Sequence, residues 1–378
     1  MIRHYEATVI HDMVYATLGL LEKRCPLGFK LPIHVHYEHS AREVYLSTAF
    51  YLIKHSASLV ALSIIEEPEH RMRQDLPSWV LDFGSPPKAQ SLSIRSIGRY
   101  FNACGICISS PESRKLSNAT LEIQDAFFDM VTDVTSQVWD GIVTAEGSVA
   151  IMKFLEEAFC MFSITDAYSG NTESRFKILT QILLCGKRTL KTPPELMKLL
   201  GDDASENEDA AIFFRFWALT VARKAKEFGH SIESVLESLE TLKEQDPLSA
   251  STLFDRADIE EISEAVNSAV VPTRNLSPQQ FIDITNIWAD TFAMHATESV
   301  YYKKLYRTSK GYLGYGRSSM QAGDEIWMLC GGRSPFVLRP AFEGGKYILI
   351  GETYLHGCME GEMITEELKA RIGPVSLI

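Results

Sequence analysis

The residues best able to do chemistry form no familiar catalytic motif. His34, His36, Glu38 and His39 crowd one short segment, and His34 and His36 would share one face of a strand. Zinc asks for three or four ligands in a fixed geometry, so surface and capping roles are the preferred reading and no metal is expected. Cys104-Gly-Ile-Cys107 is a single pair of thiols in an expected strand. A redox pair belongs at a helix N-terminus, so packing is preferred here too. Gly311-Tyr-Leu-Gly-Tyr-Gly316 precedes no helix and fails the context a dinucleotide loop requires. Asp82, Asp129, Glu352 and Glu362 are candidate carboxylates whose meeting linear spacing does not decide. Arg339 ends an apolar Phe-Val-Leu run and is expected to pair with Glu352 or Glu362, with ligand anchoring as the second reading.

Aromatic residues are more suggestive. Phe213-Phe214-Arg-Phe216-Trp217 falls in one helical stretch, and Trp288, Phe292 and His295 recur at i, i+4 and i+7 of another, hence on one face. Trp79 sits in a proline-flanked turn, and Trp327, Tyr354 and His356 lie in a glycine-rich tail. Core packing explains most of these. The same types would also wall a pocket for an apolar small molecule. In that reading Trp79, Trp217, Trp288, Phe292, Trp327 and Tyr354 bind substrate, and His295, His356 or Arg339 donates a hydrogen bond to it. The pocket is expected where the helices at 207–228 and 278–307 meet the β-rich tail.

The elements that would position these residues follow from periodicity. Helices are expected over 7–22, 39–63, 147–163, 173–187, 193–200, 207–228, 231–244, 258–266 and 278–307, and an extended piece over 30–37. Ser40 with Glu43 reads as a capping box, and Ser277-Pro278 opens the longest helix. Residues 100–109 and 119–134 read as a hairpin. Segments 201–207 and 244–252 read as surface loops. From Gly311 onward, short β-rich runs are bounded by glycine and proline. The expected fold class is α+β: a mainly helical body packed on a C-terminal small antiparallel β-module, joined by the early hairpin. The segments are 1–99, 100–135, 136–307 and 308–378, forming one composite domain.

Composition narrows the classes further. The 378 residues are 46% hydrophobic and 23% charged with net charge −12, which fits a globular chain and excludes a disordered one. The acidic balance argues against nucleic acid or an anionic membrane as partner. No run reaches the roughly 18 apolar residues of a membrane span. No secretory leader is seen, and seven scattered cysteines point to a reducing, cytoplasmic setting without disulfides. No cofactor motif occurs.

Several stretches together resemble the fungal heterokaryon-incompatibility (HET) family. They are Asp12-Met-Val-Tyr-Ala-Thr-Leu-Gly-Leu20, the helix at 39–63, Leu76-Pro-Ser-Trp-Val-Leu-Asp82 and Thr120-Leu-Glu-Ile-Gln-Asp-Ala-Phe-Phe-Asp129. More specific are Gly311-Tyr-Leu-Gly314, Gly323-Asp324, Pro335-Phe-Val-Leu-Arg339 and Gly351-Glu-Thr-Tyr-Leu-His-Gly-Cys-Met-Glu-Gly-Glu362. The resemblance is to the region that follows the family's HET domain. It implies that the death-inducing HET domain itself is absent from these residues. Two functions are then in play. One is a cofactor-independent cyclase of fungal secondary metabolism, acting on an apolar precursor by a pericyclic, Diels–Alder-type reaction. Such a reaction needs a shaped cavity and one or two donors to the carbonyl on which charge develops. The other is a non-catalytic HET-family remnant that acts through protein partners in fungal self/non-self recognition.

Overall fold

The computed structural model describes residues 7, 9–24, 35–56, 58–88, 91–92, 101–105, 111–139, 145–163, 174–200, 205–246, 254–260 and 277–378. Its elements in chain order are α1 (Asp12–Arg24), α2 (Ala41–His55), α3 (Val60–Ser63), β1 (Lys115–Ser117), β2 (Thr120–Val134), α4 (Ala145–Ser163), α5 (Arg175–Leu183), β3 (Thr189–Lys191), α6 (Pro194–Leu200), β4 (Asn207–Asp209), α7 (Ala210–Glu227), α8 (Glu233–Gln245), α9 (Pro278–Val300), β5 (Lys303–Thr308), β6 (Leu313–Arg317), β7 (Glu325–Leu329), β8 (Phe336–Pro340), β9 (Lys346–Glu352), β10 (Tyr354–Leu355), α10 (Glu366–Ala370) and β11 (Gly373–Leu377). The protein is therefore α+β. Its contacts divide into two compact units, Met1–Val131 with Gly316–Ile378, and Thr132–Tyr315.

The first unit contains a closed five-stranded barrel. β2 pairs antiparallel with β7, β7 with β8 and β8 with β9. β9 then pairs with β11, and β11 returns to β2. Closure leaves these five strands without a free edge. The β9–β11 pairing is parallel, a correction to the purely antiparallel module expected. The helix α10 supplies the crossover that a parallel neighbour needs. Leu121, Ile123, Leu329, Phe336, Leu338, Leu349, Val375 and Leu377 line the core with Val44, Tyr45, Ile53 and Trp79. At Gly351, on β9, φ is +145°, and an added Cβ would lie 2.9 Å from Arg317 Nε, so a side chain there is excluded twice over.

The early hairpin also differs from expectation. β2 pairs with β1, with Ser117 opposite Thr120. The two linking residues, Asn118 and Ala119, have φ of 47° and 62°, the two-residue turn whose twist suits a hairpin. The Trp79 indole N–H donates to the Ala119 carbonyl at 3.0 Å and holds this turn. Residues 101–105 are not a strand, and 106–110, with Cys107, lie outside the described residues.

The second unit is mainly helical. The α7 and α9 helices pack together with α4, α5 and α8. The 39–63 and 278–307 expectations were too long. In the first, Ser56 caps α2 before the short α3. In the second, Tyr302 takes φ of 58° and the chain turns into β5, where Thr132 and Asp133 at the end of β2 meet Arg307. Both expected capping signals are present: Ser40 with Glu43 and Ser277 with Gln280 each form a reciprocal box. The expected segments at 30–34, 201–204, 247–252 and 261–266 lie outside the described residues. No described helix is long and apolar enough to cross a membrane.

Candidate functional site

The aromatic residues expected to wall one pocket are divided between the two compact units. Trp217, Phe292, Trp288 and His295 belong to the helical unit. Trp79, Trp327, Tyr354, His356 and Arg339 belong to the barrel unit.

Within the helical unit the aromatics fill space rather than enclose it. Trp217 is 1% exposed and Phe292 0%. Trp217 stacks on Trp139 with centroids 4.7 Å apart and tilts against Phe292 at 5.4 Å. Phe214 stacks on both Phe176 and Phe292, at 4.8 and 5.0 Å. The half-buried Trp288 lies flat on Phe216 at 4.5 Å. Such pairs each add about 0.5–1.5 kcal/mol beyond area burial. The indole N–H groups of Trp139, Trp217 and Trp288 have no hydrogen-bond partner among the described residues, so they add nothing to offset their desolvation. His295 sits at the edge of α9, its Nδ1 3.5 Å from Lys187 Nζ and 3.6 Å from Glu298 Oε2. Burial and the Lys187 charge hold its imidazole below the usual range, which favours the neutral ring.

Within the barrel unit each expected residue has a structural partner. Trp327 donates to Glu325 at 2.9 Å and meets Phe127 and Tyr347 edge-on. Tyr354 lies against Phe101, and its hydroxyl is 3.3 Å from His356 Nδ1. Arg339 does not pair with Glu352 or Glu362. Its Nε and one Nη donate to the two oxygens of fully buried Asp324 at 2.7 and 3.0 Å, and the same Nη donates to the Ser319 carbonyl. The bidentate fork matches the carboxylate plane, and Asp324 is nearer along β7–β8 than either glutamate expected. The candidate carboxylates are engaged by backbone and hydroxyl donors. Asp82 accepts from Arg73 N, Gly84 N and Ser85 Oγ. Asp129 accepts from Met130 N, and Glu362 from Glu360 N.

A cleft of 650 Å³ does occur in the barrel unit, lined by residues of α1, α2, the turn before α2 and β1. It was not anticipated. One face of α2 is core: Ala41, Val44, Tyr45, Thr48, Ala49 and Ile53 are buried. Glu43, Ser47, Phe50, Tyr51, Lys54 and His55 recur at i, i+4, i+7, i+8, i+11 and i+12 and line the cleft. That second stripe, whose C-terminal half is aromatic and basic instead of aliphatic, was the available signal. The opposite wall holds Tyr15, His36 and His39. It is pinned in place: the Tyr15 hydroxyl donates to the His36 carbonyl at 2.9 Å and accepts from His36 N at 3.2 Å. His11 Nε2 lies 2.7 Å from the His39 carbonyl. The Tyr37 hydroxyl donates to Asp12 at 2.6 Å, which raises the phenol's pKa. Among the described residues no group of three His, Cys, Asp or Glu is placed to hold a metal ion. His34 lies outside them.

Residues 217–372 match the Het-6 beta-barrel domain family. The match takes in β7, β8 and β9 but leaves out the two closing strands, β2 and β11. The chain is also 41% identical over 63 residues to heterokaryon incompatibility protein 6, OR allele, of Neurospora crassa, a stretch that covers 16% of this chain and 9% of that protein. No solved structure matches.

Proposed function

We propose, from the premise that this chain is a HET-family protein, that it acts in fungal heterokaryon incompatibility as a recognition protein working through protein partners, in the cytoplasm. The observation that carries this choice over catalysis is the self-packing of Trp217, Phe292, Phe214 and Trp139. A cyclase of the expected kind needs those walls around a guest, whereas a recognition protein needs only a rigid frame for its surface. The relative's printed role in heterokaryon incompatibility points the same way. The test is a forced heterokaryon between fungal strains that are isogenic except for the allele of this gene. Growth arrest in the mismatched pair, and normal growth once the gene is deleted from one partner, is the expected result. Equal growth in all pairings overturns the proposal.

A second reading, cofactor-free cyclisation of an apolar precursor, draws support from the 650 Å³ cleft, a volume within the range of small-molecule sites. Turnover of a linear diene–dienophile precursor by the pure protein without additives is its test.

A further inference from the structure

We infer that the α1–α2 cleft is a binding site for a small planar aromatic anion, a function separate from the recognition role above. The cleft has two kinds of wall. Tyr15, Phe50 and Tyr51 give it aromatic faces, and the Tyr51 and His55 rings lie 4.5 Å apart at 36°. His36 and His39 meet edge to face at 5.4 Å. Flat π-surfaces on both sides favour a flat guest with an offset or edge-on fit. A volume of 650 Å³ suits a guest of two or three fused or linked rings.

The charge at the Lys54 end of the cleft sets the guest's sign. Lys54 is the permanent cation; its Nζ lies 5.6 Å from the centre of the Phe50 ring, which orients the ammonium over an aromatic face. Among the described residues no carboxylate forms an ion pair with it. Glu43 is the acid in the lining, and its Oε2 is already committed: it accepts from Ser40 N at 2.8 Å and from Ser40 Oγ at 2.9 Å in the helix cap. The other nearby acid, Asp12, accepts from Tyr37. Glu43 Oε2 also lies 3.9 Å from His39 Nδ1, and Glu43 stands eleven residues before Lys54 on α2, about 16 Å along the helix, so its charge is well separated from the ammonium. A neutral aromatic would leave the ammonium without a counter-charge, while a sulfonate or carboxylate on the guest would supply one.

The test uses the full chain with anilinonaphthalene sulfonate as the anion and its uncharged parent, phenylnaphthylamine, as the control, titrated by fluorescence and calorimetry. The anion should bind at one site per chain, about tenfold or more tighter than the parent, as a charge-assisted hydrogen bond warrants. Lys54→Gln should weaken the anion by about the same factor and leave the parent unchanged. Ser47→Trp, which puts a bulky ring into the cleft lining, should abolish binding of both. Equal affinity for charged and uncharged probes in the native chain overturns the inference without recourse to any variant. So does unaltered anion binding in Lys54→Gln, or in a Ser47→Trp protein whose melting temperature matches the native one.

Discussion

Asp125 should make the barrel unit less stable as pH rises. It lies on β2, opposite Leu329 of β7 and Gly373 of β11, on the face that Leu121 and Ile123 turn to the core. It is 1% exposed. One carboxyl oxygen accepts from Ala126 N at 2.7 Å, and the other has no partner among the described residues. Burial pushes its carboxyl well above the usual carboxylate range. Its folded pKa is thus raised over the roughly 3.9 of an unfolded aspartate. The neutral acid's contribution is therefore complete below about pH 4 and is lost as pH climbs through the folded-state value. Leaving a charged oxygen unpaired in the core costs upwards of about 1–3 kcal/mol. In a unit of this size that corresponds to a fall on the order of 5 °C in melting temperature. Asp125→Asn removes the titration and keeps the shape. Melting curves of both proteins from pH 4 to pH 9 should show the Asn variant gaining on the native chain by about that amount, mostly at the alkaline end. Tyr347, whose phenol is held above its usual value by burial, Glu325 and Asp125, is present in both proteins, so only its coupling to Asp125 enters the difference. A gap that stays constant with pH refutes the reasoning.

Other substitutions separate packing from chemistry. Trp217→Ala should cost about 3–5 kcal/mol in denaturant unfolding, and Trp217→Phe much less, because the indole N–H it removes is unpartnered. Arg339→Ala strands buried Asp324 and should cost about 1.5–3 kcal/mol, with Arg339→Lys recovering only part because the fork is lost. A ligand-anchoring arginine would instead leave the melting temperature unmoved. Gly351→Ala should lower the melting temperature, since both its φ and the nearness of Arg317 oppose a Cβ.

Much of the architecture was legible because local signals were strong. Ser40 with Glu43, and Ser277 with Pro278, mark helix starts that the caps reproduce. Glycine-bounded β-runs after Gly311 marked the strands that β2 and β11 close. Helix ends were less legible: a backbone turn at Tyr302 has no aliphatic or proline signature. The aromatic residues were ambiguous for a physical reason. Trp217 and Phe292 obey the same helical spacing whether they face a guest or one another, and only the distances to Phe214 and Trp139 distinguish the two. Arg339 misled because its partner was sought among distant glutamates when Asp324 stood near in the sheet. The cleft stripe on α2 escaped notice because the helix was read for its apolar face alone.

Recognition and catalysis part most sharply at the two histidines that a catalytic reading needs. A strain carrying His295→Phe together with His356→Phe, expressed at native abundance, should still arrest growth in a mismatched forced heterokaryon as fully as the native gene. Loss of that arrest, with the double variant folded and melting as the native chain does, would contradict a recognition role built on a packed interior.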